Sequence, residues 1–152
     1  MKKTNNKGFS LVELIIVIAI MAILIGVLAP QYIKYVEKSR VSADKDLLDS
    51  VYNACTTAAS DPEVQASSLP AASSTSISVT AGAGDTWGDE VLSTLGATAF
   101  TDVEGKLKSK VGRGNNINIE TDANGNFTVW VGTSKTNANK NADGIVVGAG
   151  AD

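Results

Sequence analysis

The chain contains no histidine. That removes Ser-His-Asp and Cys-His catalysis at a stroke, together with every His-containing zinc site. Its single cysteine, Cys55, has no partner for an intramolecular disulfide, and reads most simply as a small buried apolar residue rather than a reactive thiol. A domain of this size without a disulfide has to be held by packing, by oligomerisation or by a bound ion. A basic surface is lacking too. Lys2, Lys3 and Lys7 stand in the first eight residues without an acid, which leaves 10 basic against 16 acidic residues in the remainder, a net −6. An acidic body argues against nucleic acid, which needs cations to neutralise phosphates. Cofactor and metal patterns are incomplete. Gly82-Ala83-Gly84 lacks the third glycine of a dinucleotide loop. Asp122-Ala123-Asn124-Gly125-Asn126 starts like a calcium loop, but Phe127 stands where that loop needs glycine and no glutamate closes it. No catalytic residue, metal ligand or cofactor is therefore assigned, and the chain is not read as an enzyme.

What is present begins with an apolar run. From Leu14 to Ala29 no charged or strongly polar side chain occurs, and counting from Phe9 gives 21 residues. As a helix this is about 32 Å, enough to span a hydrocarbon core. The lysines before it put the N-terminus in the cytoplasm and the body outside. Glu13 lies near the start of this run. A carboxylate at the centre of a membrane span costs about 2.5–3.5 kcal/mol, so such a residue is a functional candidate by default. The bland reading of Glu13 is snorkelling to the interface a turn away. A cleaved secretory signal ending at Val27-Leu28-Ala29 is disfavoured by Pro30 directly after the cut and by a helical pattern that continues.

Lys7-Gly8-Phe9-Ser10-Leu11-Val12-Glu13-Leu14 resembles the processing site of type IV prepilins and of the related pseudopilins of type II secretion and competence systems. The resemblance covers roughly Lys2 to Pro30. It implies cleavage between Gly8 and Phe9 by a prepilin peptidase, methylation of the new Phe9 amine, and a role in assembly for Glu13, which would neutralise the Phe9 amine of an adjacent subunit. It further implies a chain held in the cytoplasmic membrane by a single pass, N-terminus in, and then drawn by a pilus assembly machinery into an extracellular helical filament. In family filaments the segment around Gly26 and Pro30 is often extended, so these two residues are the expected helix break. A simple bend in a continuous helix is the other reading of the pair, since Pro30 cannot donate to the Gly26 carbonyl.

The expected architecture is α+β: one long N-terminal helix, a membrane span followed by an amphipathic half, packed on a small antiparallel sheet in a pilin fold. Its divisions are a leader at 1–8, a membrane or filament-core helix at 9–30, the amphipathic half at 31–60 and a head at 61–152. In the amphipathic half Ile33, Val36, Ala43, Leu47, Val51, Ala54 or Cys55, and Ala58 recur at helical spacing. Lys34, Lys38 and Arg40 form a basic cluster just beyond the span, read as solvated charges in preference to headgroup contacts or subunit salt bridges. After a Ser/Thr/Ala-rich connection with an extended piece at Ile77-Thr80, two short helices are predicted. One runs over Asp89–Leu95, stopped by Gly96. The other follows a Thr101-to-Glu104 capping box and ends at Gly112. Ile117 and Ile119, then Phe127, Val129 and Val131, alternate with polar residues around Asn124-Gly125, predicting a hairpin with a type I′ turn. Gly144–Gly148 offers a third strand after an Asn-rich loop at 135–143. Many pilins of Gram-negative bacteria close a C-terminal loop with two cysteines, and none follows Cys55 here. That leans toward a Gram-positive pilin or a pseudopilin. The functional expectation is a structural subunit of a type IV pilus, with adhesion, motility or DNA uptake as properties of the filament. A pseudopilin is the alternative, and a membrane-anchored surface-binding module a third.

Overall fold

Leucine, isoleucine, valine and alanine dominate the chain from Leu11 onward, and with no charge among Leu14–Ala29 to interrupt them they propagate a single helix. In the computed structural model α1 runs Leu11–Ser60, with Pro30 inside it. The structure describes residues 8–80, 85–133, 135 and 144–149. The chain divides into two compact units, Met1–Val36 and Glu37–Asp152. In the first unit the apolar side chains from Phe9 to Tyr35 are exposed, and the helix is long and apolar enough to cross a membrane.

In the second unit α1 turns one stripe inward: Asp44, Leu48, Val51, Ala54, Cys55 and Ala58 are buried. The stripe differs from expectation at its start. Ala43 is exposed and Leu47 half-buried, while Asp44 and Leu48 face the core. A carboxylate sits on the buried face because backbone N–H groups from elsewhere in the head meet it there, as described below.

Facing the helix is a three-stranded antiparallel sheet in the order β1-β2-β3, with β1 Ile117–Thr121, β2 Phe127–Gly132 and β3 Gly144–Gly148. Ile119 pairs with Val129 and Val129 with Val147, so the apolar residues of all three strands line one face. Ile117, Ile119, Phe127, Val129, Val131, Ile145 and Val147 share one core with the helix stripe. This is the expected α+β arrangement, with Phe127, Val129 and Val131 inward.

The segment before α2 runs along the outer edge of β1 without forming a regular strand. Ile77 N–H donates to the Ile119 carbonyl at 2.8 Å and Thr121 N–H to the Ser74 carbonyl at 2.9 Å. These bonds cover backbone that an open edge would expose. α2 spans Thr86–Leu95, starting three residues earlier than expected, because Asp85 caps it by accepting Gly88 N–H at 2.9 Å. It ends as predicted at Gly96, which is left-handed, with Ala97 N–H returning to the Leu92 carbonyl. Trp87 on this helix is 1% exposed and stacks on Phe127 with ring centres 5.8 Å apart.

Two local expectations are corrected. α3 covers only Phe100–Glu104, and Ala99 precedes it without a side-chain cap. Thr101 lies inside that helix rather than at its cap, and residues 106–112 fold as turns. The hairpin between β1 and β2 is present, but its turn is not type I′. That type needs positive φ at Asn124, and only Ser73 and Ser76 among described non-glycine residues have it. Instead Gly125 N–H closes on the Asp122 carbonyl at 3.1 Å, Gly125 takes φ +81°, and Asp122 N–H donates to the Asn126 carbonyl at 3.0 Å. This is a type I turn followed by a glycine bulge, which the same Asn-Gly pair serves equally well.

Candidate functional site

Residues 8–10 precede α1 without regular structure and are exposed. Nothing lies within 4 Å of the position a Gly8 side chain would take, and Phe9 is 92% exposed. Both residues of the expected cleavage junction, Gly8 and Phe9, are therefore exposed. No packing among the described residues requires glycine at position 8.

Glu13 stands in the first turn of α1 and is exposed. Its carboxylate is not idle: Oε2 accepts the backbone N–H of Ser10 at 2.9 Å. This is the return half of a capping box, in which a glutamate three residues into a helix satisfies an orphan donor at its start. It also places negative charge at the positive end of the helix dipole. Gly8, Phe9 and Glu13 thus lie within one and a half turns of chain. Of the expected leader at 1–8, residues 1–7 lie outside the described residues.

Gly26 and Pro30 are helical and exposed. No atom outside the helix crowds Gly26. Glycine in a helix interior costs about 1 kcal/mol relative to alanine, and Pro30 removes the donor that would bind its carbonyl. The two weaken the same turn of a helix that stays closed in the single chain.

The head contains a cluster that was not legible beforehand. Asp44, 1% exposed, accepts Lys108 N–H on Oδ1 and Ser109 N–H on Oδ2, both at 2.8 Å. Ser109 is fully buried, and its hydroxyl accepts Gly112 N–H at 2.9 Å. A Cβ on Gly112 would fall 2.6 Å from Asp44 Oδ2, so glycine is required for the loop to close on the carboxylate. Two turns earlier Glu37 accepts Lys110 N–H and pairs with Arg40 at 3.6 Å. Glu37, Arg40, Lys108, Lys110 and Arg113 line one shallow cavity of about 320 Å³. The only sequence signal for it was the alternation Lys106, Lys108, Lys110, in which the intervening Leu107 and Ser109 are buried.

Burial pushes the Cys55 thiol up to about 12, so this residue is a core side chain. Trp87 Nε1 donates to the Cys55 carbonyl at 3.4 Å. On the outer face of the sheet Trp130 is half-buried and donates to Glu120 Oε1 at 3.0 Å, while Lys135 Nζ lies 2.6 Å from Glu120 Oε2. Partial burial raises the Glu120 carboxyl, but Lys135 and Trp130 outweigh it and hold it below the usual value. Asp122 is likewise lowered, first by the Asn126 side-chain amide and then by backbone N–H groups of the turn. These bonds account for the oxygen-rich 122–126 segment as turn chemistry. Among the described residues no three Cys, Asp or Glu side chains group as a metal site. Gly82-Ala83-Gly84 and most of the Asn-rich loop lie outside the described residues.

Residues 3–29 match the family described as the prokaryotic N-terminal methylation motif. The chain is 43% identical over 50 residues to the type IV major pilin protein PilA of Myxococcus xanthus (strain DK1622), covering 33% of this chain and 23% of that protein. It is 50% identical over 40 residues to a type IV major fimbrial protein FimA of Dichelobacter nodosus, covering 26% of each. The chain thus spans about a quarter of the length of the curated relatives it matches. No solved structure matches it.

Proposed function

We propose that this chain, a type IV pilin by its N-terminal segment, is cut between Gly8 and Phe9, methylated on Phe9 and assembled through α1 into a surface filament. The observation that carries this reading is the exposed run Gly8–Phe9 followed at fixed distance by Glu13 and an uncovered apolar helix. Before assembly the apolar residues of 9–30 are held by the cytoplasmic membrane in a single pass, with the head outside. In the filament they are covered by the same residues of neighbours. Neighbouring copies also supply what Glu13 lacks. A methylated Phe9 ammonium and the Glu13 carboxylate, each desolvated, gain a charged partner from one another. Because the pair joins two molecules, it registers each subunit on the next.

Gly26 and Pro30 fit the same account. A turn weakened by both residues opens at low cost when filament packing favours an extended segment. The prepilin peptidase and the pilus assembly machinery are the partners this requires. The subunit itself performs no chemistry. A pseudopilin would share every one of these features. The polar, Ser/Thr-rich connection after α1 favours a displayed filament, whose surface such segments form.

Electron microscopy of material sheared from cells tests the proposal. Filaments that yield head peptides of this chain are expected, and the Gly8→Ala variant is expected to leave full-length precursor in the membrane and no filaments. Normal filaments from Gly8→Ala would contradict the assigned junction.

A further inference from the structure

The cavity between α1 and the 106–113 turns gathers Arg40, Lys108, Lys110 and Arg113 around one carboxylate, Glu37. All four cations are exposed. Glu37 is already engaged by Lys110 N–H and by Arg40, so the surface keeps a net charge of about three. Four of the ten basic residues after Lys7 meet here, in a body that otherwise carries an excess of acid. The arrangement is built rather than incidental. Asp44 fixes the backbone of Lys108 and Ser109, the buried Ser109 leaves its two lysine neighbours pointing outward, and Arg113 N–H returns to the Ser109 carbonyl at 2.9 Å.

We propose that this surface docks the head on anionic phospholipid headgroups while the chain is anchored in the membrane. The inference rests on the membrane-anchored reading of 9–30 given above. Reach supports it without any assumption about how the two units are placed. Glu37 follows Pro30 by seven residues, at most about 25 Å even for fully extended chain. A cationic surface on so short a tether is held at high effective concentration beside the bilayer surface. Attraction between exposed charges fades within about 8–10 Å at ordinary salt, so the effect requires contact. Lys34, closer still to the apolar run in sequence, and Lys38, next to Glu37, carry the same sign. A phosphodiester offers these side chains the oxygens that Arg and Lys bind best, and Glu37 is too few charges to satisfy them. Docking would hold each head in one orientation before assembly, and joining the filament would release it.

The test uses the full chain inserted in vesicles of phosphatidylcholine alone or with phosphatidylglycerol. A fluorophore placed through Asn116→Cys, an exposed position three residues after Arg113, reports energy transfer to labelled headgroups. The native Cys55 is buried and does not compete for the label. Transfer is expected to rise with phosphatidylglycerol and to fall with added salt. Neutralising Lys108, Lys110 and Arg113 together to Gln should weaken docking on the order of a hundredfold, at about 1 kcal/mol per cation. These three are surface side chains, so an unchanged circular-dichroism spectrum separates lost docking from lost folding. Equal transfer in both lipids from a chain that resists alkaline extraction would overturn the docking proposal alone. A chain released by alkaline extraction would overturn the anchored reading along with it. Transfer that depends on protein density instead of lipid charge would assign the surface to a second copy and overturn the lipid proposal.

Discussion

The Glu13 carboxylate accepts the Ser10 backbone N–H at 2.9 Å, so the acid at the start of the apolar helix is engaged within its own chain before any neighbour arrives. This relationship sharpens what assembly must do. In the proposed filament a neighbour's Phe9 amine would compete with, or add to, a hydrogen bond already made.

Two substitutions separate capping from charge pairing. Glu13→Gln keeps an oxygen that can accept the Ser10 N–H but carries no charge, whereas Glu13→Ala loses both. If the charge is what registers subunits, both variants are cleaved normally and both assemble poorly when no wild-type subunit is present. Filament yield on immunoblots of sheared material measures this. Wild-type yield from the Gln variant would reduce Glu13 to a helix cap.

Asp44 anchors the head's turns to α1. Asp44→Ala would strip acceptors from two N–H groups, each worth about 1–3 kcal/mol when left buried and unpaired. The head should therefore melt well below wild type, with Asp44→Asn between the two. Gly112→Ala should destabilise by about 1–3 kcal/mol through overpacking against the same carboxylate. Thermal unfolding followed by circular dichroism gives the order. An Asp44→Ala head as stable as wild type would show that the turns hold themselves.

Cys55 predicts the alkaline limb. Its thiol has an ordinary value of 9.0 and is raised in the folded head to about 12. The unfolded chain therefore loses this proton first, and the stability it contributes is complete below about pH 9 and lost as pH rises toward 12. Native protein should resist alkylation near neutral pH, because the thiolate is the nucleophile. Cys55→Ala should flatten the alkaline decline in melting temperature. An identical decline in that variant would remove Cys55 as its cause.

On the acid side the sign reverses. Glu120 and Asp122 are both lowered when folded, so their contribution is present above their ordinary values of 4.5 and 3.8 and is lost as pH falls through the lowered ones. Trp130 reports this locally, since its indole donates to Glu120. Its fluorescence should change in that range, and Glu120→Gln should abolish the change. A transition that persists in Glu120→Gln belongs to another group.

The parts of this molecule that were legible in the sequence are those coded by spacing along the chain. The motif residues Gly8, Phe9 and Glu13 and the apolar run behind them are contiguous, and strands β1 and β2 announce themselves by alternation. The rest depended on partners far away in sequence. Nothing in the spacing of α1 marks Asp44 as buried; its place is explained only by Lys108 and Ser109, more than sixty residues later, which donate to it. α3 ends at Glu104 with Gly105 as its C-cap, short of a helical pattern that ran on to Gly112. Asn124-Gly125 marked a hairpin correctly but could not distinguish two turn types that use the same pair.

The N-terminus of the filament protein tests the proposed processing and assembly most directly. Intact-mass and fragment-ion spectrometry of purified filaments should find a chain beginning at Phe9 with a methylated amine. A filament protein beginning at Met1, or at Pro30, would contradict the account.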